Sequence, residues 1–338
     1  FEGSAMTAQA LADQLAAKGL SKSGCSVHFG LDPVSAAAAT ARDFTLDGRI
    51  ADLAAGLAAF SFPGSTMKAD GRIAHNAGAS EAQELAFVLS SLTTLLRACE
   101  SGGMATEAIF ATTALGLAVD QQQLLSIAKL RALRLLHARL QEVCGVEAPR
   151  PALIHAETSF RMLTRLDPET NILRNTIAAF AAGVGGADSV SILPHTLSLG
   201  LPDAFARRIA RNTQLILMRE CHLDHVADPA AGSGGIETLT DALAEAAWRE
   251  FQAIESEGGI MASLSAGTFQ RRVAAMREQR AAEIRDGQRP IIGTTLYAAA
   301  EERPVEVLAK RGKTPKSRGS RRSLDPVPLD AALEGEAA

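Results

Sequence analysis

Aromatic residues and cysteines are scarce in this chain. Its 338 residues include a single Tyr, a single Trp and four cysteines. The cysteines, Cys25, Cys99, Cys144 and Cys221, are scattered and lack the paired spacing of zinc ribbons or disulfide frameworks. This distribution argues against a small disulfide-stapled or zinc-binding domain, and we expect a protein of the reducing cytoplasm.

Long apolar runs are also absent. No segment reaches the roughly 18 consecutive apolar residues that a membrane-spanning helix needs, and the N-terminus lacks a basic region followed by an apolar run. The sequence therefore predicts neither a membrane protein nor a secreted one. Because the first residue is Phe1 rather than Met, we expect the numbering to begin inside a longer chain.

An excess of charge of one sign is missing as well. The formal net charge is -4, which provides no general field for nucleic acid or an anionic membrane and favours a small-molecule or protein partner. Basic residues cluster only beyond Tyr297, among Gly, Ser and Pro and without aromatic residues for base stacking. We expect a solvated linker there, with binding to nucleic acid or an acidic partner as the alternative. These residues are Lys310, Arg311, Lys313, Lys316, Arg318, Arg321 and Arg322.

The sequence does contain enough apolar residues, 47% of the total, for one large core. Long segments with helical spacing alternate with short β-type runs, which predicts a parallel α/β architecture, either a (β/α) barrel or a doubly wound sheet. Ser80 and Gln83 have capping-box spacing at a helix start, and Asp203 is placed to begin another helix. The predicted strands are Ser26–Phe29, Arg72–His75, Ala108–Ala111, Ala152–His155, Ser189–Ile192 and 225–227.

Several polar residues are candidates for a site. His155 and Glu157 are two residues apart on a predicted strand, so both side chains would face the same side of the sheet, as a working pair or as a buried hydrogen-bonded one. Asp228 would end another strand, where an Asp serves catalysis or caps the following loop. The Cys221-His222-Leu-Asp-His225 segment has metal-capable side chains but lacks the spacing of a ligand set, and Gly232-Ser-Gly-Gly235 lacks the Lys of a phosphate-binding loop.

A set of separated segments, in the same order, resembles the adenosylcobalamin-dependent methylmalonyl-CoA mutase family over roughly residues 24–297. The helix 206–217 (Ala-Arg-Arg-Ile-Ala-Arg-Asn-Thr-Gln-Leu-Ile-Leu) carries the closest match. The others are Ile127-Ala-Lys-Leu-Arg131, His155-Ala-Glu-Thr-Ser159, Leu201-Pro-Asp203 and Val226-Ala-Asp-Pro-Ala-Ala-Gly-Ser233. The resemblance implies a (β/α)8 barrel that holds an acyl-CoA thioester, and a separate domain that brings cobalamin to it.

The same resemblance implies that the catalytic groups are missing here. Arg72 stands at the position of the family's active-site Tyr, and Ile73 stands at the position of the His that hydrogen-bonds the thioester oxygen. A branched alkane has no proton to donate. His75 is two residues further on, and on a strand it would face the same side as Ile73. Other substrate-facing positions also differ, with Glu157 for Gln, Leu193 for Asn and Gly234-Gly235 for a pair of Tyr.

The family's cobalt-binding signature, Asp-x-His-x-x-Gly, is absent too. The sole His-x-x-Gly is His75-Asn-Ala-Gly78, with Ile73 at the Asp position. These departures resemble the small, non-catalytic subunit of heterodimeric methylmalonyl-CoA mutase, and so do Phe29-Gly-Leu-Asp-Pro33 and Gln83-Glu-Leu-Ala-Phe87. We therefore assign no catalytic, cofactor-binding or metal residue, and retain His75, His155, Glu157 and Asp228 as catalytic candidates.

The resulting expectation is an incomplete (β/α)8 TIM-type barrel with about six of its eight strands, followed by C-terminal helices and a linker. Residues 1–23 would form an N-terminal helix region, 24–297 the partial barrel, and 298–338 a basic, largely irregular tail leading towards a cobalamin-binding-like domain. The implied partner is a large catalytic subunit that holds adenosylcobalamin. Two alternatives stay open: an active acyl-CoA mutase with a rearranged site built on His75, His155 and Glu157, and a degenerate, free-standing interaction protein.

Overall fold

Five parallel strands form the central sheet, in the order in which they occur in the chain, and the sheet curls like half of a barrel. The computed structural model describes residues 3–40, 49–301, 303–311 and 323–333. The five strands are β1 (Val27–Leu31), β2 (Gly64–Asp70), β3 (Thr113–Val119), β4 (Ile154–Thr158) and β5 (Ser189–Ser191), and two short strands, β6 (Gly200–Leu201) and β7 (Ala309–Lys310), pair antiparallel beside them.

Helices connect and cover these strands. The first group lies before or between the strands of the main sheet: α1 (Gly3–Ala17), α2 (Pro33–Thr40), α3 (Arg49–Ala58), α4 (Arg72–Ala77), α5 (Glu81–Ser101), α6 (Thr106–Thr112), α7 (Gln123–Val143) and α8 (Thr170–Val184). The second group follows the sheet: α9 (Ala204–Arg219), α10 (Gly234–Ser256), α11 (Ile260–Ala266) and α12 (Thr268–Arg285). Two 3-10 helices occupy Lys22–Gly24 and Leu329–Leu333. No helix among the described residues has both the length and the apolar composition that a membrane crossing would require.

Helix α5 shows how local sequence sets an element boundary. Its start is the predicted capping box, because the Ser80 hydroxyl accepts from the Gln83 amide while the Gln83 side chain accepts from the Ser80 amide. Its apolar residues, including Leu85 and Leu89, are fully buried, and it packs between the sheet and α10. The predicted cap at Asp203 is also confirmed, since its carboxylate accepts from the Ala206 amide at 2.8 Å.

The two faces of the sheet differ in chemistry. Residues such as Leu115, Leu117 and Ile154 are fully buried in the main core on the face that the helices cover. Asp70, Gly116, His155 and Ser189 are register partners across β2, β3, β4 and β5, so they share the opposite face. We call this opposite surface the polar face; it also carries Lys68 and Glu157.

Three of the six predicted strands coincide with or overlap strands of the sheet, and three predictions are wrong. Residues 72–75 begin α4 and residues 108–111 lie in α6, and each true strand is adjacent, at β2 and β3. Strand β2 has the sequence Gly-Ser-Thr-Met-Lys-Ala-Asp, in which polar residues make the alternation of apolar and polar positions hard to recognise. The wrongly predicted segments are short apolar runs, which are equally compatible with a helix. Residues 225–227 form no strand, and Val226 is 62% exposed. The structure thus fits an incomplete TIM-type fold, and its main sheet has five strands rather than six among the residues that the structure describes.

The C-terminal segment 323–333 returns to the carboxyl ends of the strands. Its main-chain amides donate to three carbonyls: Leu324 to Ala38 at 3.0 Å, Val327 to Asn76 at 2.8 Å and Leu329 to Arg161 at 2.8 Å. Leu324 is buried. Part of the predicted tail therefore packs on the domain, whereas the basic residues 313–322 lie outside the described residues. The division at residues 23 and 297 stays a prediction.

Candidate functional site

His75 lies at the centre of a buried polar network. Its Nδ1 lies 3.0 Å from Glu84 Oε2 and its Nε2 lies 2.8 Å from Ser159 Oγ. Glu84 Oε2 also accepts from Lys129 Nζ at 2.5 Å, and Glu84 Oε1 accepts from the Ala118 amide at 2.7 Å. We call His75, Glu84, Lys129 and Ser159 the sealed network, because none of the four is more than 1% exposed.

A second layer of charge surrounds the sealed network. The Arg161 guanidinium donates to the main-chain carbonyls of His75 and Ala79, at 3.0 and 2.7 Å, and lies 3.2 Å from Glu81 and 3.3 Å from Asp120. Together these bonds join the loop after β4 to α4, α5 and the loop after β3. They therefore fix the carboxyl end of the sheet, which is where barrel enzymes place their active sites.

The environment of the sealed network sets its protonation. Burial, followed by the charges of Arg161 and Lys129, holds the pKa of His75 well below its usual value, so the imidazole is neutral. Burial raises the pKa of Glu84, while Lys129 and the Ala118 amide oppose this rise. Lys129 Nζ lies 2.5 Å from Glu84 Oε2. We interpret Lys129 and Glu84 as an ion pair, because the hydrogen bonds and the opposite charge both stabilise the ionised form of Glu84.

The order Ser159, His75, Glu84 is also the order of nucleophile, base and orienting carboxylate in hydrolases. Burial excludes that use here. Ser159 and His75 are both 0% exposed, and Ser159 Oγ also accepts from the Met162 amide at 3.3 Å. A substrate has no path to the hydroxyl, so the arrangement holds the loop after β4 against α4.

Charged side chains form an ion network on the polar face. Arg72 binds both carboxylate oxygens of Asp70, with Nε at 2.8 and 2.9 Å, and its NH1 lies 2.6 Å from Glu157 Oε2. Lys68 Nζ lies 2.8 Å from Asp70. Gly116 allows this approach, because a Cβ there would lie 2.5 Å from Asp70 Oδ1. His155 Nδ1 lies 2.9 Å from Ser189 Oγ on the same face.

Burial and charge shift these groups in different directions. Burial raises the pKa of Asp70, but the hydrogen bonds and charge of Arg72 outweigh it, and the pKa falls well below its usual range. Burial raises the pKa of Glu157, although the positive charge of Arg72 opposes this rise. Burial, Lys68 and Arg72 lower the pKa of His155 to about 4, so at neutral pH it is an uncharged hydrogen-bonding group.

The structure does not bring the three candidates of the rearranged site together. His155 and Glu157 lie on the polar face, whereas His75 lies in helix α4 and both of its ring nitrogens are engaged in the sealed network. The prediction that His75 shares a strand face with Ile73 is wrong, because the segment is helical. Ile73 itself packs against the core.

Asp228 is separate from both clusters. It lies in a loop with a φ of 45° rather than at a strand end, and it forms an exposed ion pair with Arg131 of α7. The cysteine and histidines at 221–225 are exposed, with His222 and His225 stacked at 4.6 Å between ring centroids. No group of three or more metal-capable residues comes together within the described ranges.

His75 does not fit the role of a cobalt ligand. His75 is the histidine of the sole His-x-x-Gly sequence, and it is 0% exposed with both nitrogens in hydrogen bonds. It therefore has no free lone pair to offer a cobalt ion. Tyr297, the sole phenol in the sequence, is 80% exposed and lies after α12, whereas Arg72 at the start of α4 stands at the position of the family's active-site Tyr.

Sequence reasoning missed most members of the sealed network. Glu84, Lys129 and Ser159 each lie within a segment that carries the family resemblance, but the resemblance gives none of them a role. A signal was present for two of them: Glu84 and Lys129 are charged residues within helical stretches of apolar residues, and buried charges are almost always paired. The partner was not predictable, because 45 residues separate them.

The chain is similar in sequence to known proteins over most of its length. A family model described as methylmalonyl-CoA mutase matches residues 56–322. The chain is 45% identical over 278 residues to the methylmalonyl-CoA mutase small subunit of Streptomyces virginiae, covering 82% of this chain and 45% of that protein. It is 42% identical over 286 residues to the small subunit of Propionibacterium freudenreichii subsp. shermanii, covering 83% and 44%.

A methylmalonyl-CoA mutase of Cereibacter sphaeroides is 34% identical over 234 residues, covering 69% of this chain and 33% of that protein. The chain thus spans less than half the length of these relatives. The identity to proteins named small subunit is higher than to this mutase. On the match to the family model and these relatives, the chain belongs to the methylmalonyl-CoA mutase family.

Proposed function

We propose that this chain is part of the non-catalytic small subunit of a heterodimeric methylmalonyl-CoA mutase, and that it acts as a structural partner of the large subunit. The large subunit would carry out the isomerisation of methylmalonyl-CoA to succinyl-CoA. The observation that carries the proposal is the state of the α4 segment: Ile73 packs against the core and the neighbouring imidazole of His75 is sealed at 0% exposure. Neither can donate a proton to a thioester oxygen.

Adenosylcobalamin, which supplies the radical chemistry of the family, belongs in this proposal to the partner subunit. The engaged nitrogens of His75 support that assignment. We also propose that the five-stranded sheet continues to an eight-stranded barrel, with strands from outside this chain. A cytoplasmic location fits the four cysteines, which are all free thiols.

The polar face supports a structural role as well. In an enzyme of this family a CoA ester would lie inside the barrel, along the surface that corresponds to the polar face. Here Arg72 bridges Asp70 and Glu157, and Lys68 pairs with Asp70, so two cations compensate the two carboxylates. A charged network of this kind fills space and fixes the strands, because each ion is paired and hydrogen-bonded.

The test is a mutase assay with adenosylcobalamin and methylmalonyl-CoA in three samples: this chain, the large subunit, and their mixture. We expect no activity from this chain, and co-sedimentation of the two proteins in an analytical ultracentrifuge. Activity of this chain alone would overturn the non-catalytic role, and a mixture in which the two proteins sediment separately would overturn the partner role.

Two conservative variants sharpen the assay. H155Q and E157Q each remove one of the two titratable groups that the rearranged site would place on the polar face, but keep a hydrogen-bonding side chain of similar size. In a structural partner, both variants leave the mutase activity of the mixture within about twofold of the wild type. A loss of a hundredfold or more, as expected for removal of a general acid or base, would instead support the rearranged site.

A further inference from the structure

A cavity of about 270 Å³ lies between α12 and the C-terminal segment 323–333. No member of the sealed network lines it, and Lys68, Asp70, Glu157 and the other polar-face residues do not line it either. Its base is the turn between α4 and α5 at Gly78, and one wall carries Arg277 and Arg280, which are one helical turn apart on α12. We call it the arginine pocket.

Arg280 is buried without a carboxylate partner. It is 7% exposed, and its guanidinium donates to the main-chain carbonyls of Gly78 at 2.9 Å and Ala79 at 3.4 Å. No ion pair joins it to an acidic residue among the described ranges. A guanidinium has five N–H donors, so two carbonyls leave donors for a further acceptor. Burial and the charge of Arg161 lower the pKa of Arg280 to about 10, and the carboxylates of Glu81 and Asp120 offset these effects only in part.

Arg277 adds a second cation. Its side chain is exposed and takes part in no hydrogen bond or ion pair recorded for the described part of the chain. Its position is fixed by close packing, because a Cβ on Gly78 would lie 2.7 Å from Arg277 Cβ. The acidic residues nearby are already used: Glu278 pairs with Arg285 at 2.6 Å, and Glu81 and Asp120 pair with Arg161.

Arg161, Glu278 and Arg285 also line the cavity, and the remaining side chains of its lining are apolar. Ile284 and Ala281 of α12 face Val327 and Ala331 of the C-terminal segment across the cavity. The volume is slightly below the usual range of small-molecule pockets, roughly 300–1,000 Å³, which favours a small ligand. We propose that the arginine pocket binds a small organic anion, in which a carboxylate or phosphate group contacts Arg277 and Arg280 and a short hydrocarbon contacts the apolar wall. Bidentate guanidinium recognition suits both groups.

This inference does not depend on the proposed function, and its test is a direct binding measurement. Inorganic phosphate and butyrate are titrated separately into the 338-residue chain by calorimetry, at constant ionic strength because salt screens exposed charges. We expect saturable binding of at least one anion, with a Kd of about 1 mM or below. Phosphate binding alone would assign a phosphate group, and butyrate binding alone would assign a carboxylate.

The variants locate the site. R277Q removes an exposed charge and should weaken binding by about three- to tenfold, the range expected for one charge-assisted contact that is partly screened. The matched control is R249Q, which makes the same charge change on α10, where Arg249 is 69% exposed and its ion pair to Glu245 is long, at 3.9 Å. We expect R249Q to bind within twofold of the wild type. A281F keeps every arginine but fills the cavity, and should abolish saturable binding.

Two results would overturn the proposal. One is the absence of saturable heat for both anions up to about 50 mM, well above the expected Kd. The other is equal weakening by R277Q and R249Q, which would show general charge screening rather than a pocket. Circular dichroism of each variant checks its fold, and R277Q alone decides the question should A281F fail to fold, because Arg277 is exposed.

Discussion

The sealed network and the polar face contain the same kinds of residues but in opposite environments. Both combine a histidine, a carboxylate and a cation, and both draw on the same stretch of chain, with Glu157 on the polar face and Ser159 in the sealed network. Glu84 and His75 are 0% exposed, whereas the side chains of Arg72 and Glu157 are each 23% exposed. The difference lies in access to water, and it decides what each cluster can do.

Access to water also decides what each cluster costs when it is broken. A buried ion that loses its partner cannot be hydrated, so removing one partner of a buried pair costs about 3–5 kcal/mol. A partly exposed ion recovers part of its hydration. Mutations in the sealed network should therefore act mainly on folding, and mutations on the polar face should act less strongly.

The largest effect is expected for K129M. Methionine fills a similar volume, but Glu84 then retains only His75 and the Ala118 amide as partners. We expect the free energy of unfolding to fall by about 3–5 kcal/mol, measured by urea denaturation. The double variant E84Q/K129M removes both charges and should be more stable than K129M alone. Equal stability of the two variants would show that Glu84 is not a buried, uncompensated charge in K129M.

A smaller loss is expected for R72L on the polar face. Asp70 loses its bidentate partner but keeps Lys68 at 2.8 Å, and Glu157 can be hydrated. We expect a decrease in the free energy of unfolding of about 1–2 kcal/mol, consistent with loss of a partly buried charged hydrogen bond. R249L, an exposed arginine on α10, is the control and should change stability by less than about 0.5 kcal/mol. A loss for R72L as large as that for K129M would remove the distinction between the two clusters.

The sequence predicted the helices of this fold better than its strands. The starts of α5 and α9 follow from side-chain caps, which act over three residues and can be read locally. Strand β2 was misplaced because its polar face carries Lys68 and Asp70, whose burial depends on Arg72, Gly116 and neighbouring strands. Those contacts form only when the sheet assembles.

The same distinction applies to the candidate site. The chemistry of Ile73 alone shows that it cannot donate a proton. The inaccessibility of His75 cannot be inferred in this way, because its burial depends on Glu84 in the next helix and on Ser159, which is 84 residues away. A local pattern therefore indicated which groups are missing, while the tertiary structure was needed to show why the nearby histidine does not replace them.

A pH titration compares the two histidines directly. His155 should titrate near its pKa of about 4 in NMR spectra of the folded chain, whereas His75 should remain neutral until the chain unfolds. The unfolded imidazole has a pKa of about 6.5, so the unfolded chain takes up the proton first as the pH falls. The stability that His155 contributes is therefore present above pH 6.5 and is lost towards pH 4.

The variant H155Q isolates that contribution from other titrating groups. Asp32, for example, has a pKa raised to about 7, mainly by burial, and acts in the opposite direction, but it is common to both proteins. Between pH 6.5 and 4, we expect the free energy of unfolding to fall less in H155Q than in the wild type. The difference between the two decreases should be below about 1 kcal/mol, because His155 is partly exposed. Identical pH dependence in denaturation experiments would contradict a lowered pKa for this group.

The smallest effect is expected at Asp228, the candidate that belongs to neither cluster. Asn tolerates its positive φ of 45° as well as Asp does, and Arg131 retains two hydrogen bonds to Glu237 at 2.7 Å. D228N should therefore change the free energy of unfolding by less than about 0.5 kcal/mol, because exposed ion pairs contribute little. D228V provides the contrast, since a β-branched residue at this φ should cost about 1–3 kcal/mol. A larger loss for D228N than for D228V in urea denaturation would mean that the charge of Asp228, rather than its backbone conformation, holds this loop against α7.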